Sequence, residues 1–214
     1  MIIEQVKVGF MEVFCYILGC EATHKGLLID PAGDEEHILD TARGLGLTIE
    51  SVVNTHGHPD HTCGNRKIVD LTGAKIYIHA LDDRFFSTPE GQSVGRQMGF
   101  APSPATDVAV EDGDTISFGE NTLTVLHTPG HTPGGVCLYA ENNLFTGDTL
   151  FVGAVGRTDF PGGSLDILLQ SIKEKILSLP DETIIWPGHD YGVSPTSTVA
   201  REKKHNPYIT DFQL

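Results

Sequence analysis

The segment Thr55-His56-Gly57-His58-Pro59-Asp60-His61 is the most informative part of this sequence, because four of its side chains can bind a metal ion. It follows the apolar run 49–54, which predicts a β-strand that ends where the segment begins. Two histidines two residues apart can bind one ion if the loop curls, whereas Asp60 and His61 face another way and can serve a second ion. Imidazole and carboxylate ligands suit Zn, Fe, Mn or Ni. The segment therefore predicts a metal-binding loop at the end of a sheet.

The composition is that of an ordinary globular protein with a strongly acidic balance. Of the 214 residues, 39% are hydrophobic and 20% are charged, and the net charge is −15. Such a charge disfavours nucleic acid and anionic membrane surfaces as partners. No apolar run is long enough for a transmembrane helix, and the N-terminal residues lack the features of a signal peptide. We therefore expect a cytoplasmic protein whose four scattered cysteines are free thiols.

Apolar patterns and turn residues predict a mixed α/β (α+β) fold. Strands are expected at 2–8, 12–19, 25–30, 49–54, 75–79, 115–118, 122–127, 135–140, 143–146 and 183–186. Asn142-Asn143 is expected to form the turn between the strands at 135–140 and 143–146. Helices are expected at 34–45, 65–71, 92–98, 164–177 and 196–204, with Asp34 and Ser164 as N-caps. The weakly patterned stretch 81–106 is a candidate flap, and without a visible linker we expect a single domain, 1–214.

Three later residues complete a candidate metal site, because each follows an apolar strand and a turn glycine. His131 follows the strand 122–127, Asp148 follows 143–146, and His189 follows 183–186. Two ions that share one bridging carboxylate need three further protein ligands each, which accounts for all seven candidates. Coordination positions then remain open for water and substrate, as catalysis requires. The candidates are His56, His58, Asp60, His61, His131, Asp148 and His189.

Four motifs together resemble the metallo-β-lactamase superfamily, in an order and spacing that covers residues 50–190. They are Thr-His-Gly-His-Pro-Asp-His (55–61), Pro-Gly-His (129–131), Thr-Gly-Asp-Thr (146–149) and Pro-Gly-His (187–189). The resemblance implies an αββα sandwich of two mixed sheets with helices on their outer faces and the metal site between the sheet edges. It implies that Asp148 bridges two ions and that Asp30 braces the histidine loop. It also implies two ligand sets, His56, His58 and His131 for one ion and Asp60, His61 and His189 for the other.

The segments 145–151, 156–163 and 187–192, with 206–208, further resemble the glyoxalase II-like hydrolases. This resemblance implies two divalent ions, Zn in preference to Fe or Mn, and hydrolysis of a small-molecule thioester such as an S-acylglutathione. Asp60 is expected to orient a metal-bridging hydroxide that attacks the carbonyl carbon. Arg157 is a candidate contact for an anionic substrate group, with a structural salt bridge as the alternative. A monomer and a homodimer are both compatible with the sequence.

Glutathione is less well supported than the thioester itself. Only 25 residues follow His189 (214 − 189), too few for the helical region with which glyoxalase II helps to bind glutathione. The Lys and Tyr that contact glutathione in that family have no plain match after Asp148, although Arg157 and Phe160 lie nearby. The sequence therefore predicts the reaction class and leaves the thiol open.

Other functions remain to be weighed against this one. Persulfide dioxygenases share the fold, bind one Fe through two His and one Asp, and have a tail similar to 188–191 with 197–199, but usually with Ala in place of Gly188. A vestigial site is disfavoured because all seven ligands are present. Nucleic-acid processing is disfavoured by the acidic charge, and β-lactam hydrolysis by Asp148, where the common zinc β-lactamases have Cys. His79 and His127 are expected to be structural. Tyr191 is expected either to line the pocket or to cap the final loop.

Overall fold

Two six-stranded sheets form the centre of the computed structural model, which describes residues 1–100 and 102–214. The strands of the first sheet, in spatial order, are β1 (Ile2–Val8), β2 (Val13–Gly19), β3 (Lys25–Ile29), β4 (Thr48–Val53), β5 (Lys75–His79) and β6 (Val108–Val110). Then come β7 (Thr115–Phe118), β8 (Asn121–His127), β9 (Val136–Ala140), β10 (Asn143–Gly147), the small hairpin β11 (Leu150–Phe151) and β12 (Ala154–Val155), β13 (Ile184–Pro187) and β14 (Ser197–Thr198). The second sheet has the order β14-β13-β10-β9-β8-β7.

The helices cover the outer faces of this pair of sheets or lie at its edge. They are α1 (Glu35–Gly44), α2 (Pro59–Thr62), α3 (Asn65–Thr72), α4 (Ala80–Phe86), α5 (Ser93–Met98), α6 (Leu165–Ser171), α7 (Val199–His205) and α8 (Pro207–Thr210). A π-helical turn, Ile172–Ile176, continues α6, so the predicted helix 164–177 is present with a change of winding. Among the described residues, no helix has the length and apolar character needed to cross a membrane.

The apolar residues form three layers, which confirms the predicted αββα sandwich. Alternate side chains of β2 face opposite ways: Cys15 and Ile17 pack towards α1 and α3, whereas Tyr16 and Leu18 pack between the sheets. A strand buried on both faces has no polar side, which explains its nearly continuous apolar sequence. The third layer packs the second sheet against α6, the π-helical turn and α7 through Leu144, Leu168, Ile172, Ile176 and Val199.

Two local predictions are wrong in detail. Asp34 precedes α1, but its backbone is left-handed (φ 51°) and its side chain does not cap the helix. Its carboxylate instead accepts a hydrogen bond from the Gly9 amide (2.9 Å), since the β1–β2 turn supplies a competing donor. The β9–β10 turn consists of Glu141 and Asn142, both left-handed, because Ala140 pairs with Asn143. The predicted turn Asn142-Asn143 is therefore one residue too late.

The candidate ligands follow strand ends that meet at one edge of the sandwich. Strands β3, β4 and β5 run parallel, so Asp30, the loop 54–58 and α4 emerge at the same end of the first sheet. In the second sheet β10 and β13 are parallel, and they deliver Asp148 and His189. Carboxyl ends of parallel strands are the usual place for a site in such sheets. The fold thus brings together residues that are far apart in sequence.

His79 and His127 connect the two sheets away from these ligands. Their rings stack with centroids 4.1 Å apart and an angle of 8° between planes. His79 Nδ1 accepts a hydrogen bond from the Leu81 amide (3.2 Å), and His127 Nε2 lies 2.9 Å from the Pro133 carbonyl oxygen. These contacts agree with the structural role predicted for both residues.

The His79→Asn variant is expected to lose part of the pH dependence of folding stability. Burial, together with the charge that His127 would carry, lowers the pKa of His79 from 6.5 to about 4. Between these values only the unfolded state binds the proton, so the free energy of unfolding should fall as pH decreases from 6.5 to 4. Asparagine keeps an acceptor for the Leu81 amide but does not titrate. Urea unfolding at pH 5 and pH 7 measures this change in the free energy of unfolding. The part that depends on His79 is on the order of 1–2 kcal/mol.

His37→Asn is the matched control, because His37 is exposed on α1. This control should follow the wild-type pH dependence. If His79→Asn did so as well, His79 would not be the titrating group.

Candidate metal centre

The histidine loop obtains its shape from Gly57 and Pro59. A Cβ atom on Gly57 would lie 2.1 Å from the Phe86 ring, so only glycine fits there. Pro59 is the first residue of α2, and proline suits that position because its φ is already helical. His56 and His58 therefore lie before the helix, whereas Asp60 and His61 lie within it. This change of backbone direction turns the two pairs towards different points, as predicted.

The first ligand group consists of His56, His58 and His131, all of which are buried. His131 Nε2 lies 3.2 Å from His56 Nε2 and 2.8 Å from His58 Nδ1. Burial and the neighbouring histidines lower the pKa of His56 and of His58 well below the usual value. Both rings are therefore neutral, which is the form that binds a metal ion.

The second ligand group consists of Asp60, His61 and His189. His61 Nε2 and His189 Nε2 are 3.1 Å apart. Asp60 Oδ2 lies 3.8 Å from His61 Nε2 and 3.7 Å from His189 Nε2. Burial opposes protonation of His61, but Asp148, Asp60 and Asp30 outweigh it and raise the pKa of His61 to about 10. A cation at this position is thus strongly favoured, and a divalent metal would satisfy the same carboxylates.

Asp148 lies between the two groups. Its Oδ1 is 3.4 Å from His61 Nε2, and its Oδ2 is 3.5 Å from the Nε2 atoms of His131 and His189. Burial opposes its ionisation, yet His61, His189 and His131 hold the pKa of Asp148 well below its usual range. Oδ1 is buried and has no hydrogen-bond partner among the described residues. A buried carboxylate oxygen without a donor fits a metal ligand, since either an ion or a proton must compensate it.

Three of the ligand histidines are held by the surrounding chain through their Nδ1 atoms. His61 Nδ1 lies 3.0 Å from Asp30 Oδ2, His131 Nδ1 lies 2.7 Å from the Arg157 carbonyl oxygen, and His189 Nδ1 lies 3.0 Å from the Met11 carbonyl oxygen. A hydrogen bond of this kind fixes the tautomer that leaves Nε2 free for the metal.

Asp30 braces the histidine loop, as the resemblance implied. It is buried, and its carboxylate accepts hydrogen bonds from the Thr55 amide (2.8 Å) and the Thr55 hydroxyl (2.6 Å), besides its contact with His61. Its backbone is left-handed (φ 50°), which is unusual for a residue other than glycine. Because this strain is retained at a buried position, the surrounding contacts must hold Asp30 firmly.

Asp82 is a positioning residue that the sequence reasoning missed. It is fully buried in α4, and it accepts hydrogen bonds from the Gly57 amide (2.8 Å), the Thr132 hydroxyl (2.8 Å) and the Gly134 amide (2.5 Å). It thereby joins the loop of His56 and His58 to the loop of His131. The sequence contains one signal that could have identified Asp82. This aspartate comes shortly after β5, as Asp30 comes after β3, and both lie at the same end of the sheet.

Asp82→Asn is expected to weaken metal binding in the first ligand group by roughly 10–100-fold. Asparagine places an N–H group where Asp82 accepts from backbone amides, so the two histidine loops lose their common anchor. Chelator competition on the metal-loaded protein measures the affinity of each ion. Asp83→Asn makes the same charge change on the same helix and should leave both affinities near the wild-type values. Unchanged affinities in Asp82→Asn would show that the loops do not need this carboxylate.

Arg157 and Phe160 lie at the rim of the centre. The Arg157 guanidinium binds both oxygens of Asp159 (2.6 Å each) and lies 4.0 Å above the Phe160 ring. This contact is the structural salt bridge that was expected as the alternative role of Arg157. A contact between Arg157 and the substrate stays a prediction. The Phe160 ring in turn contacts His58, with centroids 5.4 Å apart.

Aromatic rings flank both ligand groups. Phe86 lies against His58, with 5.4 Å between the ring centroids. It comes from a different part of the chain than Phe160, which contacts the same histidine. Tyr191 stacks on His189 at 4.5 Å with an angle of 8°, and 57% of its surface is exposed. The prediction that Tyr191 lies near the pocket agrees with this contact. The ligands are thus bordered by apolar and aromatic surface.

The predicted flap, 81–106, forms α4, α5 and the segment after them; Ala101 lies outside the described residues. Together with the histidine loop and β5, this stretch encloses a cavity of about 400 Å³. Phe86 lines the cavity and also contacts His58, so the cavity adjoins the first ligand group. Its lining further includes Gly57, Pro59, Ile76, Ile78 and Phe100.

Comparison with known proteins now identifies the family. The model of the metallo-β-lactamase superfamily matches residues 8–189, and the chain belongs to that superfamily. An uncharacterized protein of Aquifex aeolicus is 36% identical, covering 99% of each chain. A hydroxyacylglutathione hydrolase of Polaromonas sp. is 38% identical over 89% of this chain and 67% of its own. The mitochondrial persulfide dioxygenase ETHE1 of Homo sapiens is 36% identical over 92% of this chain and 71% of its own.

Solved structures agree with this assignment. The structure described as BLEG-1 B3 metallo-β-lactamase has a TM-score of 0.88 and 32% identity, and the match covers 98% of this chain and 100% of that one. TTHA1623, solved in a di-iron-bound form, has a TM-score of 0.81 and 33% identity. The match covers 96% of this chain and 99% of that one. The fold and the His/Asp cluster together define a metalloenzyme of this superfamily. A hydrolase and an oxidoreductase are both among its relatives.

Proposed function

We propose that this protein hydrolyses thioesters with a dinuclear metal centre. The observation that carries the proposal is the position of Asp148, whose two oxygens face His61 of one ligand group and His131 and His189, which span both groups. A carboxylate so placed is suited to bridge two ions. The similarity to a hydroxyacylglutathione hydrolase supports the same reaction class.

The seven ligands would hold the two ions, which supply Lewis acidity and lower the pKa of water towards neutrality. Asp60 is the ligand with the most open side chain, 19% exposed against 11% for Asp148, so it can accept a hydrogen bond from the attacking water and orient it. Phe86 and Phe160, which both contact the His58 ring, would position the acyl group by packing. A thiolate leaves without a strong general acid, so the chain needs no further proton donor.

The charges around the site favour a thioester whose thiol part carries little negative charge. Lys7 pairs with Glu12 (3.3 Å) and Asp190 (3.5 Å), and Arg157 pairs with Asp159, so these cations are already neutralised. An anionic carrier such as glutathione would have to break these pairs, rely on the metal ions or reach Arg96, which lines the adjoining cavity. The neutral aromatic surface of Phe160 and Tyr191 suits an uncharged carrier better.

Turnover of a matched substrate panel tests the proposal. The panel consists of one acyl group on glutathione and on a neutral thiol such as N-acetylcysteamine, with nitrocefin as a β-lactam because one structural relative is described as a β-lactamase. We expect metal-dependent thiol release, faster from the neutral thioester at low substrate concentration. A protein with two ions and no activity on any thioester would refute the proposed reaction.

Persulfide oxidation is the second candidate, favoured by the 36% identity to ETHE1. Two histidines and one carboxylate suffice for a single iron, and His131 Nε2 lies 3.2 Å from His56 Nε2 and 3.5 Å from Asp148 Oδ2. Oxygen consumption with glutathione persulfide, in protein that holds one iron, would support this function instead. The fully assembled second ligand group is the reason to prefer the hydrolase.

A further inference from the structure

Gly188, the residue before the last ligand, controls the space around the bridging carboxylate. A Cβ atom at this position would lie 2.4 Å from Asp148 Oδ1 and 2.8 Å from the Gly147 carbonyl carbon. Real Cβ atoms do not approach other atoms so closely, so something would have to move. The nearest group is the end of a side chain, and that side chain is the proposed bridge.

The backbone of Gly188 is fixed on both sides. Its amide donates to the Gly147 carbonyl (2.8 Å), and its own carbonyl accepts from the Phe14 amide (2.8 Å). These bonds tie it to β10 and to β2, so the glycine cannot withdraw from Asp148 without breaking the strand contacts that also position His189. A Cβ atom at 188 would also meet the Gly147 carbonyl group at 2.8 and 2.9 Å, but the Asp148 carboxylate is the nearest group and the end of a side chain, so it is the group that can move most easily.

The need for glycine at 188 is one of space and not of backbone conformation. Gly188 is absent from the glycines with positive φ, whereas its neighbour Gly147 has a φ of 48°. Alanine can thus adopt the backbone conformation at 188, but its Cβ atom conflicts with the present positions of Asp148 Oδ1 and of the Gly147 carbonyl group. Asp148 Oδ1 lies 3.4 Å from His61 Nε2, so this oxygen faces the second ligand group.

We propose that Gly188 sets the number of metal ions by allowing Asp148 to face both ligand groups. A Cβ atom at 188 turns Oδ1 away from His61, which leaves Oδ2, the oxygen that faces both His131 and His189, to serve a single ion. The first group, His56, His58 and His131, then keeps its ion and the second loses its bridging ligand. The proposal rests on the dinuclear centre proposed above, and it names the residue that separates a two-ion site from a one-ion site in this chain.

Metal binding by Gly188→Ala tests this directly, without any activity measurement. Metal-free protein is equilibrated with Zn²⁺, and bound metal per chain is measured by elemental mass spectrometry and by chelator competition. We expect two ions in the wild type and one in Gly188→Ala, with the affinity for the second ion lowered by at least about tenfold. Gly44→Ala is the matched control, because a Cβ there meets nothing within 4 Å, and it should bind two ions.

A second measurement separates Asp148 from the Gly147 backbone, which a Cβ would also approach. In metal-free protein, Gly188→Ala should lower the urea midpoint in the wild-type background and lower it less once Asp148→Ala has removed the carboxylate. Two ions bound by Gly188→Ala with wild-type affinities would overturn the proposal. An equal midpoint shift in both backgrounds, or global unfolding of the single variant, would overturn it too, because the cost would then lie in the backbone. One ion in the wild type would instead contradict the dinuclear centre.

Discussion

Asp148→Ala should lose tightly bound metal and thioester turnover together, with a fall in kcat/KM of roughly a thousandfold or more. The reason is that the two oxygens of Asp148 face both ligand groups. Metal ions stabilise the charge of the transition state by several kcal/mol, and about 4 kcal/mol corresponds to a factor of 10³. Without the carboxylate, the positive charges of two ions lose the anion between them, so the second ion should be lost first.

The measurement for Asp148→Ala combines metal content with thiol release from a neutral acyl thioester. Asp70→Ala, which removes an exposed carboxylate on α3, should behave as the wild type in both. Circular dichroism should confirm that the variant folds. Turnover retained at wild-type level in Asp148→Ala would contradict the bridging role.

Asp30→Asn should destabilise the whole protein as well as the metal centre. The buried Asp30 carboxylate accepts from the Thr55 amide and hydroxyl and contacts His61 Nδ1. An amide N–H in its place confronts these donors, and unsatisfied buried groups cost about 1–3 kcal/mol each. We expect the free energy of unfolding to fall by about 3 kcal/mol. The affinity for the ion at His61 should fall by roughly 10–100-fold.

Urea unfolding of metal-free and metal-loaded protein measures both effects of Asp30→Asn. Asp34→Asn is a close control, because Asp34 has the same left-handed backbone but is exposed, and its carboxylate accepts from the Gly9 amide. It should change stability by less than about 1 kcal/mol and should not change metal affinity. If the two variants lost equal stability, the brace at Asp30 would have no special role.

The candidate ligands could be chosen from the sequence because four lie in the loop 55–61, whereas the other three each follow an apolar strand and a turn glycine. His131, Asp148 and His189 carry that signal separately, and their order with the loop 55–61 resembles one superfamily. The αββα architecture followed from the same resemblance, and the layered core confirms it. The alternating strand β2, apolar on both faces, provides the physical reason for two flanking layers.

Residues that act through long-range contacts were harder to predict. Asp82 joins loops that are 25 and 52 residues away, and its position after β5 is the one local sign of this role. The Asp34 cap failed because Gly9, distant in sequence, offers a competing donor. The steric role of Gly188 depends on Asp148 and on two strand contacts, so no local pattern contains it. These features emerge only when the two sheets are assembled.

The number of divalent ions bound per chain tests the central claim most directly. The protein would be purified without added metal, exchanged into Zn²⁺ buffer and weighed by native mass spectrometry, which resolves each added ion. The dinuclear account predicts two ions per chain, with the second lost in Asp148→Ala. A wild-type chain that holds a single ion at saturating metal would contradict it.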